Sequence, residues 1–190
     1  MNASHKPLIS IVVPLFNERE VLPLFDAALR KILAQMSEYH YEIIYIDDGS
    51  LDGSLTLAQE LCEQHGDTAL VRLSRNFGKE VATTAGIHAA HGDAIITIDA
   101  DGQHPVEILP QFIHKWREGN RVVVGVRTAN QREGVVKRLG SRLFYLFFNK
   151  LSGVKLVPGS TDYRLIDKSV QQDFVQMTER NRITRGLIDW

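Results

Sequence analysis

Apolar residues recur in short, nearly unbroken runs separated by amphipathic stretches, and over the first two-thirds of the chain the alternation is regular. Leu8 to Val13, Tyr41 to Ile46, Ala69 to Leu73, Ala94 to Ile98 and Val122 to Val126 each have the length and composition of a buried strand. The intervening segments have helical spacing. One runs to about Met36, with Asn17 as its expected N-cap and Pro23 in its early turns; a second spans Leu55 to Gln64, entered through Asp52-Gly53-Ser54 and closed near Gly66. Val81 to Ala90, rich in Ala, Thr and Gly, and Pro105 to Glu118, with proline in its first turn, complete the set. Strand and helix in turn predict an α/β domain, a mostly parallel sheet with helices on both faces. After Gly125 the regularity weakens; Thr161 to Ile166 reads as a last strand, Asp167 to Thr178 as a helix, and 181–186 as a basic turn.

Chemistry gathers where the strands stop. The run Ala94 to Ile98 ends in Asp99-Ala100-Asp101-Gly102-Gln103. Carboxylates spaced i, i+2 on an extended backbone point to one side, roughly 6 to 7 Å apart, and can share a hard divalent cation such as Mg²⁺ or Mn²⁺. Gln103 can add a neutral oxygen, and Gly102 frees the backbone to turn. Alone, this motif reads equally well as a polar turn. The strand Tyr41 to Ile46 also runs into paired acids, Asp47-Asp48-Gly49-Ser50, and two such strands would set four carboxylates on the sheet edge where open α/β sheets bind ligands. Arg75-Asn76-Phe77-Gly78-Lys79-Glu80 resembles a phosphate-binding helix start but lacks the full Walker pattern, so a P-loop hydrolase is unsupported.

At 190 residues, 44% hydrophobic and 24% charged, the chain has material for one domain, residues 1–190. The lone Cys62 excludes a disulfide framework and a cysteine metal cage. No signal-peptide run or membrane-spanning stretch is present. The formal net charge of -1 hides an asymmetry: residues 1–120 hold 9 Lys+Arg against 17 Asp+Glu, and residues 121–190 hold 13 against 6. The acidic first part argues against nucleic-acid binding. Within residues 134–152, Lys137, Arg138, Ser141, Arg142, Tyr145 and Asn149 fall within an arc of roughly 140° on a helix, opposite Leu139, Leu143, Leu146 and Phe147. Such a basic amphipathic helix packs either on the core or at an anionic membrane surface.

Taken together, Val13-Pro14-Leu15-Phe16-Asn17-Glu18, Asp47 to Gly53, Arg75 to Lys79, Asp99 to Gln103, Gly125-Val126-Arg127 and Thr161 to Leu165 resemble the motifs of family-2 glycosyltransferases with the Rossmann-like GT-A fold. Within that family they are most similar to the polyprenyl-phosphate sugar transferases related to dolichyl-phosphate mannose synthase. The resemblance implies that Pro14, Phe16 and Glu18 line a nucleoside pocket, that Asp47 contacts the base, and that Asp99, Asp101 and Gln103 hold the Mg²⁺ or Mn²⁺ on the sugar nucleotide. It assigns Arg127, Lys137 and Ser141 to the lipid phosphate, and sets Asp101, Asp162, Arg127, Arg182 and Arg185 around the reaction centre.

The implied activity is metal-dependent, inverting transfer of a sugar from a nucleotide-diphosphate sugar to a polyprenyl phosphate at the cytoplasmic face of a membrane. Transfer to a saccharide hydroxyl and a non-catalytic nucleotide-sensing or membrane-docking module are the alternatives. Two departures stand out. Gln103-His104-Pro105-Val106 carries His104 where relatives commonly have Asp, and the sequence stops at Trp190 where relatives usually continue into hydrophobic helices, so that as it stands the chain is expected to be peripheral.

Overall fold

The computed structural model describes residues 6–126 and 160–177. Elements are numbered in chain order among these residues. They are β1 (Leu8–Leu15), α1 (Leu22–Leu33), β2 (His40–Asp47), α2 (Ser54–Gln64), β3 (Thr68–Arg72), α3 (Lys79–Ala89), β4 (Ala94–Thr97), α4 (Leu109–Arg117), β5 (Val122–Val126), β6 (Ser160–Asp167) and α5 (Lys168–Gln176).

The strands form one sheet in the order β3-β2-β1-β4-β6-β5. β1 pairs in parallel with β2 and β4, and β2 with β3, while β6 runs antiparallel to both β4 and β5. The expected mostly parallel α/β sheet is therefore observed, with one reversed strand inserted between β4 and β5. The strands read as continuous apolar runs because both faces are covered. Ile9, Ile11, Val13 and Leu15 share a core with residues of α1, α2 and α4, among them Leu29, Ala58 and Phe112. On the opposite face Val12, Ile44, Ile46 and Ile95 pack with Ala82 and Ile87 of α3 and Phe174 of α5. Among the described residues no helix is long and apolar enough to cross a membrane.

Several boundaries differ from the sequence reading. Asn17 does not cap α1: it takes φ 56°, and the helix begins at Leu22 with Pro23 in its first turn. Its side chain is instead committed across the sheet edge, accepting from Leu51 N at 2.9 Å. α2, by contrast, ends at Gln64 as expected, with His65 extended after it. The helix expected from Pro105 divides into a 3-10 turn over Val106–Ile108 and α4, whose own first turn holds Pro110. β4 ends at Thr97, so Asp99 and Asp101 lie in the loop beyond it rather than on an extended strand.

Asp167 joins the last strand to the last helix. It caps α5 by accepting from Ser169 N at 2.9 Å and Ser169 Oγ at 2.7 Å, and it also accepts from the Trp116 indole at 2.8 Å. Burial raises its pKa, but the hydrogen bonds from Ser169 and Trp116 outweigh that and hold the carboxyl below its ordinary value. Its stabilisation is complete above the unfolded value near ~4 and is lost as pH falls through the lower folded value. Asp167→Ala is expected to cost roughly 1–2 kcal/mol at neutral pH and to flatten the acid limb of stability, measured by urea unfolding across pH 2 to 7.

Candidate active site

The sheet register fixes where the chemistry sits. β1, β2 and β4 all end at one edge, with Leu15 paired to Asp47 and Val12 to Thr97. The strand order reverses between β1 and β4, and there an open α/β sheet forms its ligand crevice. Because β6 is antiparallel and Thr97 pairs with Arg164, its opening residues return to the same edge, bringing Asp162 beside Asp99.

A cavity of about 230 Å³ opens at this point. Pro14, Leu15, Phe16 and Glu18 line it from the end of β1, Asp48 from β2, Asn76, Gly78, Lys79 and Ala82 from the start of α3, and Asp99, Ala100 and Asp101 from the loop after β4. A typical small-molecule pocket has roughly 300–1,000 Å³. The enclosed space thus suits part of a ligand, with the remainder lying over the open rim.

The loops around the cavity are tied to each other through their backbones. Asp48 accepts from Phe77 N at 2.8 Å and Gly78 N at 2.9 Å, so its carboxylate anchors the loop that leads into α3. Gly49 permits this approach: it has φ +74°, and a Cβ there would stand 2.6 Å from the carbonyl carbon of Arg75 and the nitrogen of Asn76. On the other rim Ser54 Oγ accepts from Glu18 N at 2.7 Å, while Asp52 accepts from Arg19 N at 3.0 Å and Ser54 N at 2.9 Å.

Asp99 is mostly covered, and its Oδ2 lies 2.6 Å from Lys79 Nζ and 3.5 Å from His104 Nε2. The same ammonium is 2.7 Å from Asp162 Oδ2. Burial pulls the Lys79 pKa down, but hydrogen bonds to Asp162 and Asp99 outweigh it and hold the group charged above its ordinary value. His104 rests near Tyr163, which stacks on Phe112 with ring centres 4.6 Å apart. Asp101 is exposed and accepts from Gln103 N at 2.9 Å, closing the turn at Gly102.

Of the residues singled out from sequence, Pro14, Phe16, Glu18, Asp99 and Asp101 meet in the cavity. Asp47 is fully buried and does not line the cavity; Oδ1 accepts from Ser50 N at 3.1 Å, and Oδ2 has no hydrogen-bond partner among the described residues. Gln103 is exposed and does not line the cavity. Asp162 lies next door, bordering a smaller space with Lys79, Thr97 and Arg164. Arg127, Lys137, Ser141, Arg182, Arg185 and the 134–152 helix lie outside the described residues. Asp48, one of the four carboxylates expected at the sheet edge, and Lys79, of the segment that resembles a phosphate-binding helix start, line the cavity as well. Nothing local distinguishes an acid that anchors a loop from one that faces a ligand.

The donor set fits a hard divalent cation. Burial first, then the charges of Asp101, Asp52 and Asp99, push the Glu18 carboxyl above its ordinary value, so the cavity carries negative charge that its own basic groups do not fully offset. Among the described residues no three His, Cys, Asp or Glu side chains gather into a ready-made cation site. Mg²⁺ is commonly held by one or two carboxylates, with substrate phosphates supplying the rest.

Fold and site together define a GT-A domain with an acidic ligand cleft at the carboxyl edge of its sheet. The chain belongs to glycosyl transferase family 2, whose model matches residues 10–174. It is 38% identical over 182 residues to an uncharacterised glycosyltransferase of Synechocystis, covering 96% of this chain and 57% of that protein. It is 37% identical over 182 residues to a prophage bactoprenol glucosyl transferase homologue of Escherichia coli, covering 96% and 59%. The chain thus spans under three-fifths of the length of these relatives. Among solved structures, a mannosyltransferase of Pyrobaculum calidifontis in complex with GDP-Man and Mn²⁺ superposes with a TM-score of 0.58 at 18% identity, covering 97% of this chain and 51% of that one.

Because Gly49 lets the loop after β2 meet the backbone of Arg75 and Asn76, Gly49→Ala is expected to destabilise the fold by about 2 kcal/mol or more. A thermal melt checks this. A variant with an unchanged melting temperature would show that the two loops are not in obligatory contact.

Proposed function

We propose that the domain transfers a sugar from a nucleotide-diphosphate sugar to a polyprenyl phosphate, with inversion at the anomeric carbon, on the cytoplasmic face of a membrane. The observation that carries this reading is the convergence of Glu18, Asp48, Asp99 and Asp101 on one cavity that Lys79 also lines. The names of the bactoprenol relatives support a polyprenyl phosphate acceptor, and the complex of the mannosyltransferase supports a nucleotide sugar with a divalent metal.

In this reading Pro14, Phe16 and Glu18 border the nucleoside, with Asp47 beneath it, and Asp99 and Asp101, assisted by Gln103, would hold Mg²⁺ or Mn²⁺. Such a cation, when bound, offsets charge on the departing nucleotide diphosphate. The protein's own groups supply positioning. Lys79 and Asp162 form one ion-paired unit at the mouth of the cleft; Arg127, Arg182 and Arg185 would counter phosphate charge there, and Arg127, Lys137 and Ser141 would receive the lipid phosphate, with the basic 134–152 helix against anionic headgroups. A phosphate nucleophile is already largely ionised near neutral pH, so no general base is required. Asp162, with an oxygen 2.7 Å from the Lys79 ammonium, is suited to orienting rather than to abstracting a proton.

Two measurements test this. Asp101 is exposed, so Asp101→Ala should leave the melting temperature within about 1 °C of wild type while abolishing Mn²⁺- or Mg²⁺-dependent nucleotide-sugar binding in calorimetry; retained metal-dependent binding would remove Asp101 from the site. Offered labelled donor with polyprenyl phosphate and with a saccharide acceptor, the protein extended to the length of its relatives should label the lipid. Label only in the saccharide would establish the hydroxyl acceptor, and binding without any turnover a docking or sensing module.

A further inference from the structure

The single ammonium of Lys79 serves two carboxylates from distant parts of the chain, Asp99 Oδ2 at 2.6 Å and Asp162 Oδ2 at 2.7 Å. Its side chain is 43% exposed and sits between the donor cavity and the smaller space beside it, lining both. Asp99 is thereby held at the oxygen that faces Lys79, with His104 on another side of the same atom. Asp101, by contrast, accepts only a backbone hydrogen bond among the described contacts. Of the two carboxylates proposed to hold the metal, a cation arriving alone therefore meets Asp101 available and Asp99 already engaged at one oxygen by a positive charge.

We infer that Lys79 is a resident counter-cation that couples metal binding to donor binding. Its ammonium holds Asp99 and Asp162 together, and it releases Asp99 to a divalent cation when a diphosphate enters to take up the ammonium in turn. The physical basis is that two cations cannot share Asp99 Oδ2 without repulsion, whereas a diphosphate gives each of them an anionic partner. A lysine suits this exchange, being a point charge on a flexible stem with three donors that can be redirected. By linkage, whatever free energy the diphosphate contributes to releasing Asp99 appears equally as tighter metal binding in its presence. The inference rests on the proposed donor and metal reading and deepens it: Lys79 acts as a positioning residue that makes the metal and the nucleotide bind as a pair.

The test is Mn²⁺ titration of the free protein followed by electron paramagnetic resonance, with UDP and GDP affinities measured by calorimetry at saturating Mn²⁺. Wild type is compared with Lys79→Met and with Lys79→Gln, which keeps a hydrogen-bond donor without the charge. The expected result has opposite signs: Mn²⁺ alone binds roughly tenfold more tightly to the variants, and the nucleoside diphosphate that binds wild type binds them roughly tenfold more weakly. A lysine that only stabilises the fold would weaken both. Should either variant be too unstable to titrate, the shift of its melting temperature with Mn²⁺ is read instead, and it should exceed that of wild type. Mn²⁺ affinity that is equal or lower in the variants, or nucleotide affinity that is unchanged, overturns the inference and leaves the proposed function standing. Absence of Mn²⁺ binding to every protein, with and without UDP or GDP, overturns the underlying reading as well.

Discussion

Crowding carboxylates at one edge of a sheet raises the free energy of the fold unless donors are supplied for them, and much of the structure around the cleft answers that constraint. Asp47 accepts from Ser50, Asp48 from Phe77 and Gly78, and Asp52 from Arg19 and Ser54, all through backbone N–H groups. Asp99 and Asp162 share Lys79. Apart from Asp47 Oδ2, these acids are thereby supplied with donors; Glu18 and Asp101 face the cavity, and burial first, then the charges of Asp101, Asp52 and Asp99, raise the Glu18 carboxyl pKa.

The same bonds do structural and chemical work at once. Asp48 holds the loop that delivers Lys79, and that delivery is possible because Gly49 lets two backbones meet where a side chain would intrude. Below, α3 lies close on β1 and β2, with Gly86 against Val12 and Ile46 leaving no room for a Cβ. Small residues along α3 therefore serve packing, while its first residue serves the site. An insertion or bulky side chain in either half would move the ammonium away from its two acids.

The reversed strand has a comparable double role. β6 continues the sheet beyond β4, stacks Tyr163 on Phe112 and carries Asp162 to the edge where the parallel strands end. Tyr163 in turn backs His104, whose Nε2 approaches Asp99. His104 is thus packed behind a cleft carboxylate.

The α/β class, all of the described strands and the gathering of acids at strand ends could be read from the residues, because burial on both sheet faces writes continuous apolar runs and short polar motifs punctuate them. The ordered motifs likewise carry the family's likeness along the chain. Strand ends could not be set to the residue: Ile98 is apolar and buried, yet β4 stops at Thr97, and Asn17, a good cap by type, is drawn instead to Leu51. The reversed direction of β6 was equally silent, since a short apolar strand looks the same read either way. That direction, and the register pairing Thr97 with Arg164, are settled by contacts across a long sequence separation. From them follows the Asp99–Lys79–Asp162 link, which joins three segments that carry no mark of one another, because an ion pair is specified by distance in space and not by spacing along the chain.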